Sequence, residues 1–529
     1  MNGSLHNISA HTPLICFKGR VIRYADLMVL FDSAMDHLPQ DPRATAVINT
    51  DDRLSASMWM LSCWMYGIPF VPYHDQFPDP ISAFQPTVTL GAFPFDDSHD
   101  TIPDGSLTVN DVLSRCHTYV SRYRPDALLD LCDPFCGLLT SGSSGQPKKV
   151  PLLRRQVIAA SRNAWTGTAH RDNQHLTWGN ALPLYHAGGI SILFRCFLNG
   201  ATVFLWDSFS EEVMLKDLHS SPSVTDLSLV PTMLYRLVNY CEQQGLHLPD
   251  TLQRILLGGS PASEALLKKV REKKWPVYFS YGMTETFGQV FSSTYSEQTP
   301  VGSVGKALPG IEMRILDDSG NELPRDSGGT LYLSGDQVFD GYLTDKASLT
   351  DPSNKAAFPY SVHSETVEKS NHTNSPPNQS QWFDTGDIAR KDAQGFIYIE
   401  NRKSDLIITG GKKVRTADIE KALLELGLFK EVAVTGVPDD EWGECITAIV
   451  VLPPAESRTA QLQRDYQLQQ AGSPKTELLK EILPALKTRL KPWEIPKALI
   501  CTSSIPKTSL GKPARKAIRD YAIARLAQK

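Results

Sequence analysis

An α/β fold divided into at least two domains is what this sequence predicts, and three observations carry the prediction. The chain has 529 residues, more than a single hydrophobic core usually supports. Apolar helical patterns alternate with short β-branched runs such as Ala201-Thr-Val-Phe-Leu205 and Arg254-Ile-Leu-Leu257, the rhythm of α/β units around buried strands. After Asn401-Arg402-Lys403-Ser404-Asp405 that rhythm changes, which places a domain boundary near Ser404, with one domain over 1–403 and another over 404–529.

The first domain begins with a polar stretch, Met1 to Thr12, that lacks the basic and apolar regions of a secretory signal. The most apolar window, Met58 to Tyr73, is interrupted by Gly67, Pro69 and Pro72, so a core helix running into a strand is expected and a membrane span is not. From Thr350 to Gln381 the chain is rich in Ser, Asn, Pro and Lys without periodicity and reads as a surface loop or insertion. Beyond the boundary the pattern gives a strand at Leu406-Ile-Ile, a Gly410-Gly411 turn, a short helix from Thr416 and a strand near Val432 to Val437. An amphipathic helix from Lys475 to Leu490 is ended by Lys491-Pro492.

With 41% hydrophobic and 21% charged residues the chain has a globular composition, and a formal charge of −5 gives no footprint for nucleic acid or an anionic membrane. Small-molecule partners are expected, and a homo-oligomer is neither required nor excluded. The nine cysteines are scattered; Cys132 and Cys136 have no second pair at zinc-like spacing, so free thiols in a reducing cytoplasm are expected.

Four segments carry chemistry. In Leu138-Leu139-Thr140-Ser141-Gly142-Ser143-Ser144-Gly145-Gln146-Pro147-Lys148 a hydrophobic strand end feeds a loop of hydroxyls and glycines closed by lysine. Glycines let backbone N–H groups turn toward an anion, hydroxyls add donors and lysine adds a mobile positive charge, which together suit polyphosphate. It is not a Walker A loop, because Pro147 and Lys149 replace the glycine and hydroxyl that flank that motif's lysine. Taken alone the segment also fits a flexible linker. In Tyr278-Phe-Ser-Tyr281-Gly282-Met-Thr284-Glu285-Thr286 an aromatic strand is expected to break at Gly282, leaving Tyr281 to stack a base, Thr284 to bond a phosphate and Glu285 to hold Mg2+; the plainer reading is a helix start. Trp382-Phe-Asp-Thr-Gly-Asp387 reads as a tight turn whose carboxylate would accept from ribose, followed by Arg402; an ordinary Asp-rich turn is the alternative. Ile505-Pro-Lys-Thr-Ser-Leu-Gly-Lys512-Pro-Ala-Arg515 presents Lys512 after a glycine, either as a long cation for a remote site or as a solvated basic tail.

In this order and at these separations the four segments resemble the adenylate-forming superfamily of acyl- and aryl-CoA synthetases, luciferases and peptide-synthetase adenylation domains. The resemblance runs from about Phe135 to Lys516. It implies a large multi-sheet N-terminal domain, acyl-CoA synthetase-like, that binds ATP and acid, and a small α+β C-terminal domain that rotates between two half-reactions. It casts Thr140 to Lys148 as the phosphate loop, Gly259-Ser260-Pro261 and Tyr281-Gly282 as the adenine wall, and Thr284-Glu285 as the phosphate and magnesium site. Asp387 and Arg402 match a ribose-binding pair, Lys512 the lysine that spans carboxylate and α-phosphate, Ser404 the hinge, and His186 a histidine lining the acyl site. ATP, Mg2+ and coenzyme A are the implied co-substrates and metal.

Within the superfamily, Leu182-Pro-Leu-Tyr-His-Ala-Gly-Gly-Ile-Ser-Ile-Leu-Phe-Arg195, Ile255-Leu-Leu-Gly-Gly-Ser-Pro-Ala262 and Arg402-Lys-Ser-Asp-Leu-Ile-Ile-Thr-Gly-Gly411 resemble o-succinylbenzoate–CoA ligases of menaquinone and phylloquinone biosynthesis. That acid has two carboxylates and only one is activated, so the pocket needs a cation for the other. Arg195, about two and a half helical turns after His186, is the candidate; the alternative is an arginine snorkelling from a core helix to solvent. Other acids, or a carrier-protein thiol, remain open alternatives. The few residues after Lys512 leave no room for a fused carrier domain, which makes free CoA the expected acceptor. A catalytically dead homologue would lack Glu285 or Lys512, and both are present.

Overall fold

The computed structural model describes residues 8–39, 41, 44–74, 88–95, 108–109, 112, 131, 133–140, 148–166, 175–220, 224–294, 299–300, 302–343, 382–453, 476–507 and 513–527. The insertion read between Thr350 and Gln381, the phosphate-loop residues Ser141 to Gly145, and Lys512 lie outside the described residues. Among the described residues the strands form four sheets, three of them before Ser404 and one after it.

The largest sheet runs, edge to edge, Lys306–Ala307, Gly288–Thr294, Val277–Met283, Arg254–Leu257, Asp226–Leu229, Thr177–Asn180, Thr202–Leu205, Pro13–Phe17 and Arg20–Arg23. Its centre is parallel, from Val277–Met283 across to Pro13–Phe17, and helices such as Ala187–Asn199 and Pro231–Gln244 follow its strands. Parallel strands covered on both faces read as short continuous apolar runs, which is why Arg254–Leu257 was legible to the residue.

A five-stranded sheet, Val88–Leu90, Ala46–Asn49, Phe70–Tyr73, Pro134–Thr140 and Lys148–Leu153, packs into the same core. The apolar window behaves as its punctuation requires. Asp52 caps the helix Arg53–Tyr66 by accepting from Leu54 N at 3.1 Å and Ser55 N at 3.2 Å, and Gly67 closes it. Every residue of that helix is buried, the polar Arg53, Ser55, Ser57 and Ser62 included, and the strand Phe70–Tyr73 follows. A third, antiparallel sheet, Glu312–Leu316, Gly329–Ser334, Phe383–Lys391 and Ile397–Arg402, completes this part of the chain.

After the short 3-10 turn Lys403–Asp405, the hairpin Leu406–Thr409 and Lys412–Arg415 joins the long pair Glu431–Asp439 and Gly443–Val451, with Ala498–Thr502 added in parallel. Helices Thr416–Leu424, Thr476–Lys487 and Arg515–Ala527 cover this sheet, and its two apolar clusters contain no residue from before Ser404. The helix expected over Lys475 to Leu490 spans Thr476–Lys487 and carries Pro484 inside it.

Candidate active site

Two expectations about local structure are corrected. The strand expected to break at Gly282 continues to Met283, and the irregularity is a register shift between Tyr281 and Gly282 against Gly288–Thr294. Only glycine fits there, since a Cβ at Gly282 would lie 1.9 Å from the Gly288 carbonyl oxygen. The segment read as a tight turn before Asp387 is strand, Phe383–Lys391, in which Gly386 adopts a φ of 72°. That kink sits inside an antiparallel ladder where Asp387 faces Arg402 directly.

The result is a polar cluster at the seam of the large and the four-stranded sheets. Asp387 is 2% exposed; its Oδ1 accepts from Arg402 Nε at 3.0 Å and its Oδ2 from the Tyr281 hydroxyl at 2.5 Å. Burial pushes the Asp387 carboxyl above its usual range in spite of Arg402. Tyr281 stacks on Phe291, ring centroids 5.4 Å apart and planes 14° from parallel, which fixes the plane of its ring. Gly258 lies against Ser280, so Gly259 and Ser260 emerge beside the end of the strand that carries Tyr281.

Thr284, Glu285 and Thr286 form one 3-10 turn. It is closed by Phe287, a non-glycine residue at φ 48° whose buried ring meets Phe135 edge-on at 5.8 Å. The turn is held from three sides. Gln337 Nε2 donates to the carbonyls of Thr286 at 2.7 Å and Gln289 at 2.8 Å, while its Oε1 accepts from Asn163. Phe339 N donates to the Glu285 carbonyl at 2.9 Å. The Glu285 carboxylate accepts from the Tyr342 hydroxyl at 2.7 Å, and Lys148 Nζ sits 4.5 Å from the centre of the Tyr342 ring. Thus Lys148 and Glu285 meet through Tyr342, Tyr281 and Arg402 meet on Asp387, and the two groups are linked by the attraction between the Glu285 carboxylate and Arg402.

His186 is the N-cap of Ala187–Asn199, and its ring lies 4.5 Å from that of Tyr185. The loop before it is clamped from below: the buried Arg53 donates to the carbonyls of Asn180 at 3.1 Å and Leu182 at 2.8 Å, and Asn180 Nδ2 to Gly189 O at 3.0 Å. Ser191, one turn on, packs toward Gly288 just past the Glu285 turn. Arg195 does not snorkel. It is 3% exposed, its guanidinium lies 4.4 Å over the Trp178 ring, and its Nε and Nη1 have no hydrogen-bond partner. Beneath it Trp178, Asp226 and Arg254 stand in one row across three strands, and Asp226 pairs with Arg254. Burial lowers the Arg195 pKa to about 10, so it stays charged in neutral solution.

Among the described residues no group of three or more His, Cys, Asp or Glu could hold a metal alone. Glu285 offers one carboxylate, which suits Mg2+, an ion that completes its shell from substrate phosphates and water. Tyr342, Gln337 and Asn163 were missed from the sequence, because their partners are remote in the chain. The backbone of Ser404 lies in the 3-10 turn at the expected hinge.

Residues 33–343 match the model of the AMP-binding enzymes, and 418–512 that of the AMP-binding enzyme C-terminal domain. The 2-succinylbenzoate–CoA ligase of Bacillus velezensis is 32% identical over 75% of this chain and 70% of that protein. The Bacillus licheniformis protein of the same name is 29% identical over 89% and 88%. The structure of Bacillus subtilis o-succinylbenzoate coenzyme A synthetase with ATP and magnesium superposes with a TM-score of 0.70 at 24% identity, covering 96% of this chain and 97% of that one. ATP-bound MatB from Rhodopseudomonas palustris gives 0.71 at 22%, covering 97% and 96%. At those identities the structures establish the fold, and with the family models and curated relatives they place this chain in the AMP-binding enzyme family.

Proposed function

We propose that the chain is an ATP-dependent, AMP-forming acid–thiol ligase that converts o-succinylbenzoate to its CoA thioester. The observation that carries the reading is the pair of polar groups, Lys148 with Glu285 and Tyr281 with Asp387 and Arg402, linked by the attraction between Glu285 and Arg402, in a chain whose curated relatives bear that substrate's name.

In the first half-reaction an acid oxygen attacks the α-phosphorus of ATP; the new P–O bond forms as the bond to the bridging oxygen breaks and pyrophosphate leaves. Both reactants are anions, so the site must neutralise charge and align them in line. Lys148 and the loop Thr140 to Gly145 hold the outer phosphates, Tyr281 with Gly259, Ser260 and Gly282 walls the adenine, and Asp387 with Arg402 takes the ribose. Glu285 would hold Mg2+, which would supply charge neutralisation, and Thr284 bonds a phosphate. Lys512 spans the acid and the α-phosphate. In the second half-reaction the CoA sulfur attacks the acyl carbon and AMP leaves, with the domain 404–529 turning about Ser404 to withdraw Lys512. His186 lines the acyl site, and Arg195, on the same helix, takes the carboxylate that is not activated.

The test is CoA-dependent release of AMP from ATP and Mg2+ with o-succinylbenzoate, beside benzoates, cinnamates and fatty acids. Preference for o-succinylbenzoate is expected; activity confined to other acids would discard this substrate and keep the chemistry. For the ribose pair, Asp387→Asn is expected to raise KM for ATP about tenfold with kcat little changed, since it weakens charge-assisted hydrogen bonds made equally in ground and transition states. A fall confined to kcat would contradict that role.

A further inference from the structure

Glu285 and Lys148 are opposite charges in one site. Among the described residues Lys148 forms no ion pair, and the Glu285 carboxylate is held by a hydroxyl. What stands between them is Tyr342. Its ring face seats the Lys148 ammonium at 4.5 Å and its hydroxyl donates to Glu285 Oε1 at 2.7 Å. The tyrosine is itself well anchored. Leu343 N donates to the Lys149 carbonyl at 3.0 Å, forming an isolated antiparallel bridge with the first residues of Lys148–Leu153. Four residues earlier, Phe339 N donates to the Glu285 carbonyl, and the Phe339 ring meets that of Tyr342 edge-on at 4.8 Å. The segment from Gly335 to Leu343 therefore straps the exit of the loop closed by Lys148 to the turn that carries Glu285. At 38% exposure the Tyr342 side chain remains open to a ligand.

We propose that Tyr342 is a positioning residue for the metal–triphosphate group, resting on the reading of this site as one for ATP. Without a spacer, the ammonium and carboxylate would be drawn into an ion pair that a ligand would have to break before binding. Tyr342 gives each charge a separate, weaker partner and leaves both available. Its hydroxyl holds Oε1 and so orients the carboxylate, leaving Oε2 as the oxygen that would take the metal. Two functions are separable: the hydroxyl acts on the metal ligand, the ring on the lysine.

The experiment measures ATP binding by calorimetry on the full chain, with Mg2+ and with a chelator instead, for the wild type, Tyr342→Phe and Tyr342→Leu, with thermal denaturation of each. Tyr342→Phe keeps the ring and is expected to weaken binding of ATP with Mg2+ about tenfold, as loss of a hydrogen bond to a charged group would. It leaves metal-free binding unchanged. Tyr342→Leu, which also removes the lysine's seat, weakens both. Equal loss by Tyr342→Phe in both conditions, or no loss in either, overturns the role for the tyrosine. A wild-type chain that binds ATP equally well with and without Mg2+ would instead remove the ATP–magnesium reading beneath it, and the proposal with it.

Discussion

Lys512→Ala is expected to abolish acyl-adenylate formation, lowering acid-dependent ATP–pyrophosphate exchange by about a hundredfold to a thousandfold, the usual cost of removing one charge-stabilising donor. Thioester formation from a preformed acyl-adenylate should survive. The asymmetry follows from charge. Attack of a carboxylate on a phosphate crowds negative charge that a lysine offsets, whereas attack of a thiolate on an acyl-adenylate releases AMP from an already activated carbonyl. Lys512 lies outside the described residues, but its flanks are anchored: Lys507 and Pro513 pair in an antiparallel bridge. Arg515 ties the following helix to Glu420 at 2.5 Å and to Asp405, beside the proposed hinge, at 3.1 Å. The described residues on either side of it are therefore fastened to the small domain, and the proposal is that Lys512 is delivered and withdrawn with that domain. The two half-reactions are assayed separately, by isotope exchange and by supplying the adenylate with CoA. Equal damage to both would show that Lys512 holds the nucleotide throughout.

Much of this architecture was legible because buried parallel strands and their covering helices write short apolar runs of distinct period. Arg254–Leu257 and the helix–strand passage through Arg53–Tyr66 and Phe70–Tyr73 emerged as expected. The site was legible in a different way. Phosphate, ribose and metal chemistry demand particular residue types, and four such segments in one order are far more telling than each alone. What local reading misjudged were long-range pairings. Asp-Thr-Gly before Asp387 has a turn's composition, yet the glycine's left-handed conformation is spent inside a ladder, and only the partner strand Ile397–Arg402 makes it one. Tyr342 looked like any aromatic residue in a loop, since its two partners, Lys148 and Glu285, are far from it in sequence. Arg195 offered snorkelling to solvent as its simplest fate, because nothing local reveals that the sheet beneath already holds Trp178, Asp226 and Arg254 in a closed row.

That row makes Arg195→Met the sharpest test of the acid pocket, because two readouts should move in opposite directions. One buried carboxylate, Asp226, is already paired with Arg254, which leaves Arg195 a cation with two nitrogens unpartnered at 3% exposure. Such a group costs folding energy, only part of which its seat over Trp178 returns. Replacing it with a methionine of similar length should stabilise the unliganded protein by about 1–4 kcal/mol, the range seen when buried ions give way to apolar side chains. The same change removes the counter-ion proposed for the second carboxylate, so kcat/KM for o-succinylbenzoate should fall roughly a hundredfold, on the scale of a broken buried charge pair. Use of a monocarboxylate such as benzoate should fall far less. The pH dependence has a definite sign. With its pKa lowered by burial to about 10 in the folded state, Arg195 binds fewer protons folded than unfolded between that value and the ordinary arginine range. Wild-type stability therefore gains on that of the variant as pH rises through that window, and the variant's advantage is greatest below it. Denaturation midpoints at neutral and alkaline pH, set beside kinetics with the two acids, decide the matter. A variant that is less stable, and equally impaired with both acids, would make Arg195 a packing residue and leave the second carboxylate to another cation.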